Sequence, residues 1–375
     1  MTGILVAPNA FKGSLTALEA AAAMSAAVSI VLPDADIVAR PIADGGDGSV
    51  EALIAAGFER VTVPITLPDG SAGTASIAMR ENLAVVELAN TCGLLLTPAT
   101  RRDPLGSSTV GLGEAVLGAL DLEPAEIVLA VGGSASTDGG VGLLVALGAR
   151  VLDQRSRPVQ PGGQWLADIV YIDLATIDPR LRGVRLTVAT DVSSPLYGPL
   201  GAAVVFAPQK GATPAQVAHL DDGLRSWAEV VRNATHRDVS TEQGGGAAGG
   251  TAFAAVALLG AELVPGADAI ARMTGLDEAL GACDLVITGE GSLDGQSLLG
   301  KGAVHIAREA QQRRVPSLMV CGHIDLVPDV LCRLGVQAWG SIDEIADTPE
   351  DAMTRAAELL TRRTIEVLAL VEPPL

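Results

Sequence analysis

The sequence predicts a mixed α/β protein in which a discontinuous Rossmann-like domain carries a second, inserted α/β domain. Strand-like runs alternate with helical stretches near both ends of the chain, and a different pattern with paired strands lies between them. In addition, 49% of the 375 residues are hydrophobic while only 2% are aromatic, so aliphatic side chains must form the core among 43 glycines. At about 150 residues per domain, the length fits two or three domains.

The first part of the chain repeats a strand, a loop and a helix. The apolar run Ile4–Ala7 is followed by Thr16 and Glu19, which form the capping-box pattern that begins a helix. A second strand leads into the glycine-rich loop 43–48 and another helix. Because strands that alternate with helices pair in parallel, we assign residues 1–66 to the Rossmann-like domain.

The pattern changes after residue 66 and returns near the C-terminus. Segments 74–79 and 83–88 resemble the two strands of a hairpin, and later strands run into loops near Gly132 and Thr190. From Leu285 onward the strand, glycine loop and helix pattern reappears. We therefore expect residues 67–284 to form an inserted α/β domain and residues 285–375 to complete the first domain.

Charge and hydropathy argue against nucleic-acid and membrane partners. The chain has 25 basic and 44 acidic residues, a net charge of −19, so it would repel phosphate backbones and anionic lipids. The longest uncharged stretch near the start has thirteen residues, too few to span a bilayer. No signal peptide is evident and the four cysteines show no paired spacing, so we expect a cytoplasmic protein. The sequence does not decide whether the protein forms a homo-oligomer.

Lysine is used sparingly. Of the 25 basic residues only Lys12, Lys210 and Lys301 are lysines, and each precedes a glycine. A flexible ammonium group can follow a moving phosphoryl group, whereas a guanidinium group fixes planar anions. The three lysines are therefore candidate phosphate contacts, and the alternative is that they are solvated loop residues.

Glycine-rich loops follow several predicted strands, the position at which open α/β sheets bind ligands. Backbone N–H groups there favour anions, although any single loop of this kind can simply need a positive φ angle. The candidate binding residues in these loops are Ser14, Asp44, Gly45, Gly46, Gly132, Gly133, Ser134, Gly289 and Glu290.

Carboxylates beside these loops are candidate magnesium ligands and proton acceptors. Asp191 follows a strand of buried type and is the candidate catalytic base, with a turn or helix cap as its alternative role. Spacing does not show which of the other candidates binds metal: Asp44, Asp47, Asp138, Glu290 and Asp294.

Three further patterns are weaker. Residues 295–301 nearly match a phosphate loop, but Gly302 replaces the required Ser or Thr. Residues 244–249 match a dinucleotide-binding pattern without a clear preceding strand, which keeps a nicotinamide-dependent hydroxy-acid dehydrogenase as an alternative. His323 follows a predicted strand and is most simply a loop residue, and the scattered histidines argue against zinc catalysis.

Taken together, the motifs resemble the bacterial type I glycerate kinases, which phosphorylate D-glycerate with ATP and magnesium. The similar segments occur in the family's order over nearly the whole chain. They are residues 8–14, 43–48, 132–140, 190–196, 208–212, 246–250 and 288–296.

This resemblance implies ATP and Mg²⁺ as cofactors, D-glycerate as acceptor, and an active site in the cleft between two α/β domains; it favours 2-phosphoglycerate as product. In the mechanism we expect, Asp191 accepts the hydroxyl proton, and Lys12 with Lys301 stabilises the transferring phosphoryl group. The expected magnesium ligands are Asp191, Glu290 and Asp294.

Two departures concern the substrate. Thr137 and Ser194 stand where the family usually has Asn, so an amide donor is lost at both positions. The departures leave the substrate range open. They also keep a non-catalytic, organic-acid-binding homologue as a further alternative.

Overall fold

The computed structural model describes residues 2–295, 297–299 and 302–371. Its strands are β1 (Gly3–Pro8), β2 (Asp36–Ala39), β3 (Glu59–Thr66), β4 (Ala72–Arg80), β5 (Leu83–Glu87), β6 (Glu126–Ala130), β7 (Arg150–Leu152), β8 (Tyr171–Asp173), β9 (Arg185–Ala189), β10 (Glu262–Val264), β11 (Leu285–Gly289), β12 (Ser292–Leu293), β13 (Ser317–Cys321), β14 (His323–Ile324) and β15 (Val336–Ser341).

Helices connect most of these strands. They are α1 (Ala17–Val31), α2 (Ser49–Ala55), α3 (Ala89–Cys92), α4 (Val110–Leu120), α5 (Val141–Ala146), α6 (Ala202–Phe206), α7 (Pro214–Thr235), α8 (Ala247–Leu259), α9 (Gly266–Thr274), α10 (Leu276–Ala282), α11 (Ala303–Arg313), α12 (Pro328–Arg333), α13 (Pro349–Thr354) and α14 (Ala356–Leu368). Within the described ranges, no helix combines the length and the apolar character that a bilayer crossing requires.

The first of two compact units contains residues up to 43, residues 51–57 and residues from 270 onward. Its five-stranded sheet has the order β15-β13-β11-β1-β2, and every pair is parallel. Alternate residues of β1 point to opposite faces, so Ile4 and Val6 pack in a core with α1 and α14. Leu5 and Ala7 pack on the other face with α10 and α11. The parallel, helix-covered sheet predicted for the chain ends is confirmed.

The second unit contains residues 44–50 and 58–269. Its six-stranded sheet has the order β10-β9-β6-β5-β4-β3, in which the first four strands are parallel and the last two form an antiparallel edge. The predicted hairpin is β4 and β5, with Ile77 opposite Val86. Mixed α/β structure is thus confirmed here as well.

The sequence-based domain boundaries at residues 66 and 284 differ from the edges of these units. Strand β3, which those boundaries assign to the first domain, pairs with β4 in the sheet of the second unit. The segment 270–284, which they assign to the insertion, belongs to the first unit. Its helix α10 packs beside α11 with an apolar face that includes Leu276 and Leu280. The boundaries themselves stay a prediction.

Helix α7 is anchored to the loop between β6 and α5, residues 131–140. It begins at a capping box formed by Thr213 and Gln216, with Pro214 in its first turn. Trp227 on its inner face is fully buried, and its Nε1 donates a hydrogen bond of 3.0 Å to the carbonyl oxygen of Gly139. The indole therefore fixes the main chain of that loop.

We predict that Trp227→Phe lowers the free energy of unfolding by about 1–3 kcal/mol, because the buried Gly139 carbonyl loses its donor. Urea titration of the purified protein measures this change. Trp165→Phe is the matched control, since Trp165 is 41% exposed, and it should cost no more than about 0.5 kcal/mol. Equal losses in the two variants would contradict the anchoring role.

Candidate functional site

The carboxyl ends of the strands in the first unit form one candidate surface, which we name edge 1: the loops that follow β1, β11, β13 and β15. Main-chain hydrogen bonds tie these loops side by side. Asn9 N donates to Gly289 O at 2.8 Å, and Gly322 N donates to Glu290 O at 3.0 Å. Asp343 N donates to Gly322 O at 3.2 Å. Edge 1 thus presents four neighbouring loops at the place where parallel sheets bind ligands.

Edge 1 brings together Lys12, Ser14, Gly289, Glu290 and Asp294 from the predicted set. Lys12 is exposed, and Ser14 closes the turn by donating from Oγ to Phe11 O at 3.0 Å. Among the described residues Glu290 Oε1 is buried with no hydrogen-bond partner, and Asp294 Oδ1 accepts from Ser297 N at 3.3 Å. An ammonium group and two carboxylates therefore share this edge.

The close approach of two loops on edge 1 favours a glycine. A Cβ atom at Gly291 would lie only 3.0 Å from the backbone nitrogen of Lys12 and from the Cα atom of Phe11. A larger residue at this position would push the loop that carries Lys12 away from the loop that carries Glu290. The glycine sets the spacing of these two candidate residues.

The carboxyl ends of β5, β6, β9 and β10 form a second candidate surface, edge 2, together with the loop 44–48 that lies against them. Gly132 N donates to Gly45 O at 2.9 Å, and a Cβ atom at Gly132 would lie 2.4 Å from the Cα atom of Gly46. Asp44 is exposed and its Oδ1 accepts from Gly46 N at 3.0 Å. Edge 2 therefore gathers Asp44, Gly45, Gly46, Gly132, Gly133, Ser134, Asp191 and Lys210 from the predicted set.

Glu87, which sequence reasoning missed, holds loop 44–48 in place. It is the last residue of β5 and is 4% exposed. Its Oε1 accepts from Gly48 N at 3.0 Å and its Oε2 from Val50 N at 2.8 Å. The available signal was a lone glutamate that ends an otherwise apolar strand.

Asp191 follows β9, and its carboxylate caps the first turn of α9. Its Oδ1 accepts from Gly266 N at 3.2 Å, and its Oδ2 accepts from Ala267 N at 3.0 Å. The side chain remains exposed. Two backbone amides therefore orient this carboxylate. The cap predicted as its alternative role is present, and its role as base stays a prediction.

Lys210 is 2% exposed, unlike a lysine that reaches into solvent. Its Nζ donates to Ser134 Oγ at 2.8 Å, to the carbonyl oxygen of Ser136 at 2.5 Å, and at 3.4 Å to Thr137 Oγ1. Burial lowers the pKa of Lys210 to about 8, and the nearby Asp138 carboxylate opposes that shift. The three donors of the ammonium group therefore cross-link the loop 131–140.

Asp138, one of the carboxylates considered as a metal ligand, is fully buried. Its Oδ2 accepts from Thr109 N, Thr109 Oγ1, Ser108 Oγ and Gly142 N, at 2.8, 2.8, 3.2 and 3.1 Å, and its Oδ1 accepts from Gly140 N at 3.1 Å. Five donors thus hold the carboxylate in place. Asp138 is a structural residue that joins the start of α4 to the start of α5.

Other parts of the main chain fill the space beside the glycines of the dinucleotide-like pattern at residues 244–249. No strand leads into it, since it follows α7 and a loop. Cβ atoms at Gly246 and Gly249 would lie 2.3 Å from the carbonyl oxygens of Pro195 and Ser136, respectively. These glycines therefore admit neighbouring main chain rather than a pyrophosphate.

The segment 295–301, which resembles a phosphate loop, is described only in part. Outside the described residues lie Gln296, Gly300 and Lys301. Among the residues that are described, no group of three or more His, Cys, Asp and Glu side chains is arranged to hold a metal ion. His323, which the sequence suggests is a simple loop residue, is paired with Asp343 on edge 1.

Comparisons with known proteins extend over the full chain. The model of the glycerate kinase family matches residues 4–372. A glycerate 2-kinase of Escherichia coli K12 is 39% identical over 370 residues, which cover 98% of this chain and 97% of the relative. A glycerate kinase of Halalkalibacterium halodurans is 37% identical over 374 residues and 98% of both chains.

One solved structure has the same fold as this chain. A crystal structure described as that of a candidate glycerate kinase 2 from Salmonella typhimurium LT2 superposes with a TM-score of 0.83. The two chains are 36% identical, and the match covers 98% of each.

We predict that Lys210→Met lowers the free energy of unfolding by roughly 1–3 kcal/mol at neutral pH, because buried acceptors in loop 131–140 lose their donor. Urea titration measures the loss. Gln209→Met, at the exposed neighbouring position, is the control and should change stability by less than about 0.5 kcal/mol. Indistinguishable effects would show that the ammonium group does not hold the loop.

The difference in the free energy of unfolding between the unsubstituted protein and Lys210→Met should depend on pH. The pKa of Lys210 is about 8 in the folded protein, against 10.5 for a lysine in water, so between these values the unfolded chain binds more protons. The lysine therefore adds stability to the unsubstituted protein as pH rises through this window, and Lys210→Met lacks that gain. The stability difference between the two proteins should widen between about pH 8 and 10, and a constant difference would contradict the lowered pKa.

Proposed function

We propose that this chain, which belongs to the glycerate kinase family, transfers the γ-phosphoryl group of ATP to a hydroxyl group of D-glycerate. The resemblance noted from the motifs is confirmed by the full-length family match, and that match is the observation that carries the proposal. The use of ATP and the site of phosphorylation are the parts we propose. We favour the 2-hydroxyl because one of the matched relatives is named a glycerate 2-kinase.

Asp191 is the proposed general base. Two backbone amides at the start of α9 orient its carboxylate, and the side chain is exposed to solvent. In the proposed step the hydroxyl proton passes to Asp191 while the glycerate oxygen bonds to phosphorus. The bond from phosphorus to the bridging oxygen breaks, and ADP leaves with that electron pair.

Lys12 is the proposed cation that follows the phosphoryl group. It is exposed on the loop after β1, and the lysine stem is flexible enough to track a moving charge. Lys301 stays a prediction for the same role. Lys210 differs because protein acceptors take its three donors, so we propose that it acts on phosphate binding only by holding loop 131–140.

We propose edge 1 as the magnesium-binding surface. No donor among the described residues reaches the buried Glu290 Oε1, and a buried carboxylate oxygen is costly unless a cation or a proton donor satisfies it. Carboxylate oxygens are the ligands that Mg²⁺ prefers, so we propose Glu290 as a ligand, with Asp294 in the same loop. Bound there, the ion would neutralise charge on phosphate oxygens. Asp191 belongs to the other unit, and its part in metal binding stays a prediction.

The alternative functions have weaker support. A nicotinamide-dependent dehydrogenase is not favoured, because protein carbonyls lie against the glycines of its candidate motif. The alternative of a non-catalytic homologue was based on the departures at Thr137 and Ser194. Thr137 is fully buried with its Oγ1 near Lys210 Nζ, so this departure lies within the support of the loop. We propose the cytoplasm as the location, as expected from the sequence, and leave the oligomeric state open.

One experiment tests the proposed reaction and its position together. D-glycerate, ATP and MgCl₂ are incubated with the protein, and phosphorus NMR identifies the product. The expected result is 2-phosphoglycerate with an equal amount of ADP. Exclusive 3-phosphoglycerate would overturn the proposed position. Binding of glycerate without ADP formation would favour the non-catalytic homologue, and NADH formed from NAD would favour the dehydrogenase.

We predict that Asp191→Asn lowers kcat by roughly 10²–10⁴-fold, because an amide cannot accept the hydroxyl proton. Steady-state kinetics with both substrates measure the change. Asp268→Asn is the matched control: it removes an exposed carboxylate from the first turn of the same helix and leaves Asp191 in place. Near-normal turnover of Asp191→Asn, or an equal loss in Asp268→Asn, would exclude Asp191 as the base.

A further inference from the structure

A histidine and a carboxylate form a dyad on edge 1 that the proposed mechanism does not use. His323 begins β14, and its Nδ1 lies 2.5 Å from Oδ2 of Asp343, two residues beyond the end of β15. The dyad therefore joins the loops that follow two neighbouring strands of the sheet.

The backbone on both sides of this dyad is fixed. His323 N donates to Gly291 O at 3.0 Å, and His323 pairs with Ser292 where β14 meets β12. Asp343 N donates in turn to Gly322 O at 3.2 Å. The imidazole is thus placed beside the loop that carries Glu290, on the edge where we propose that phosphate and magnesium bind.

The orientation of the ring leaves one nitrogen for a ligand. Since Nδ1 faces a carboxylate, we assign its proton to the hydrogen bond with Asp343, and Nε2 is the other ring nitrogen. The His323 side chain is 57% exposed, so a solute can reach it. This is the arrangement by which a carboxylate fixes one nitrogen of an imidazole and leaves the other for function.

The groups around the ring favour its protonated form. The hydrogen bond from His323 to Asp343 raises the pKa of the histidine above its usual value; partial burial opposes the shift, and the charges of Asp343 and Asp325 add to it. The adjoining β12 loop carries Glu290 and Asp294, which are also acidic. Glu344, next to Asp343, is paired with Arg363 of α14. A protonated ring donates from Nε2 and cannot accept a proton there.

We propose that His323, held by Asp343, donates a charged hydrogen bond from Nε2 to an anionic oxygen of the substrate pair, either a nucleotide phosphate or the glycerate carboxylate. The inference rests on the proposed function. It also fits the composition, because a chain of net charge −19 needs local positive charge where anionic substrates bind. Asp343 is then a positioning residue that acts through His323.

The test compares His323→Gln and Asp343→Asn with the unsubstituted protein in steady-state kinetics, varying ATP and D-glycerate separately. Loss of a charge-assisted hydrogen bond should raise the affected KM by roughly 10- to 100-fold, with kcat changed less than about 3-fold. A rise in the KM for ATP identifies the phosphate, and a rise in the KM for glycerate identifies the carboxylate. His219→Gln, at an exposed histidine of α7, is the control and should leave both KM values unchanged.

The pH dependence separates this role from a structural one. In the unsubstituted protein the affected KM should rise with pH as His323 loses its proton, whereas in His323→Gln that rise should be absent. Asp343→Asn removes the group that raises the pKa of His323, so the rise should begin at a lower pH. Circular dichroism checks that both variants remain folded.

Two results would overturn the proposal. One is an unchanged KM for both substrates in His323→Gln, and the other is a collapse of kcat at unchanged KM, which would make the imidazole a base. If the unsubstituted protein forms no ADP, the proposed function itself fails. In that case, calorimetric titration of ATP and of D-glycerate into the unsubstituted protein and into His323→Gln tests the His323 contact independently. Equal affinities of the two proteins would refute the contact, and a lower affinity of His323→Gln would support it.

Discussion

Main-chain contact at distances that exclude a side chain organises both candidate surfaces. On edge 2 the loop 44–48 reaches the strand ends because Gly132 leaves space for Gly46, and on edge 1 Gly291 leaves space for the loop of Lys12. Such contacts let backbone amides and carbonyls of neighbouring loops pair directly. A Cβ atom at either glycine would have to displace backbone rather than a flexible side-chain end.

Charged side chains divide into two groups by burial. Glu87, Asp138 and Lys210 are buried, and each forms hydrogen bonds with backbone or hydroxyl groups of loops. In contrast, Lys12 and Asp191 are exposed to solvent. Buried charges of this kind persist because their partners satisfy them, and removing one member leaves an unpaired polar group. The first group thus supports the surfaces on which the second group is proposed to act.

Periodicity and glycine placement were sufficient to predict the α/β class, the hairpin and the strands that lead into the glycine loops, because alternation and capping are local properties of the chain. The grouping of the candidate residues into two edges was not predictable, since it depends on the strand orders of two sheets. Lys210 shows the limit most clearly. Its glycine neighbour predicts a loop residue, whereas the structure places it at the end of the short 3₁₀ helix Pro208–Lys210, with its ammonium group pointing into the protein. For the same reason Glu87 and Asp343 escaped notice, as their partners are distant in sequence.

The burial of Lys210 also has a practical consequence for labelling. Only three lysines occur in the chain, and Lys210 is shielded from amine-reactive dyes, cross-linkers and sensor surfaces. Such reagents are therefore directed in part to Lys12, on the surface where substrate is proposed to bind. Immobilisation through amines would tether the protein by that surface and obstruct it. The exposed thiol of Cys332 in α12 is a better point of attachment.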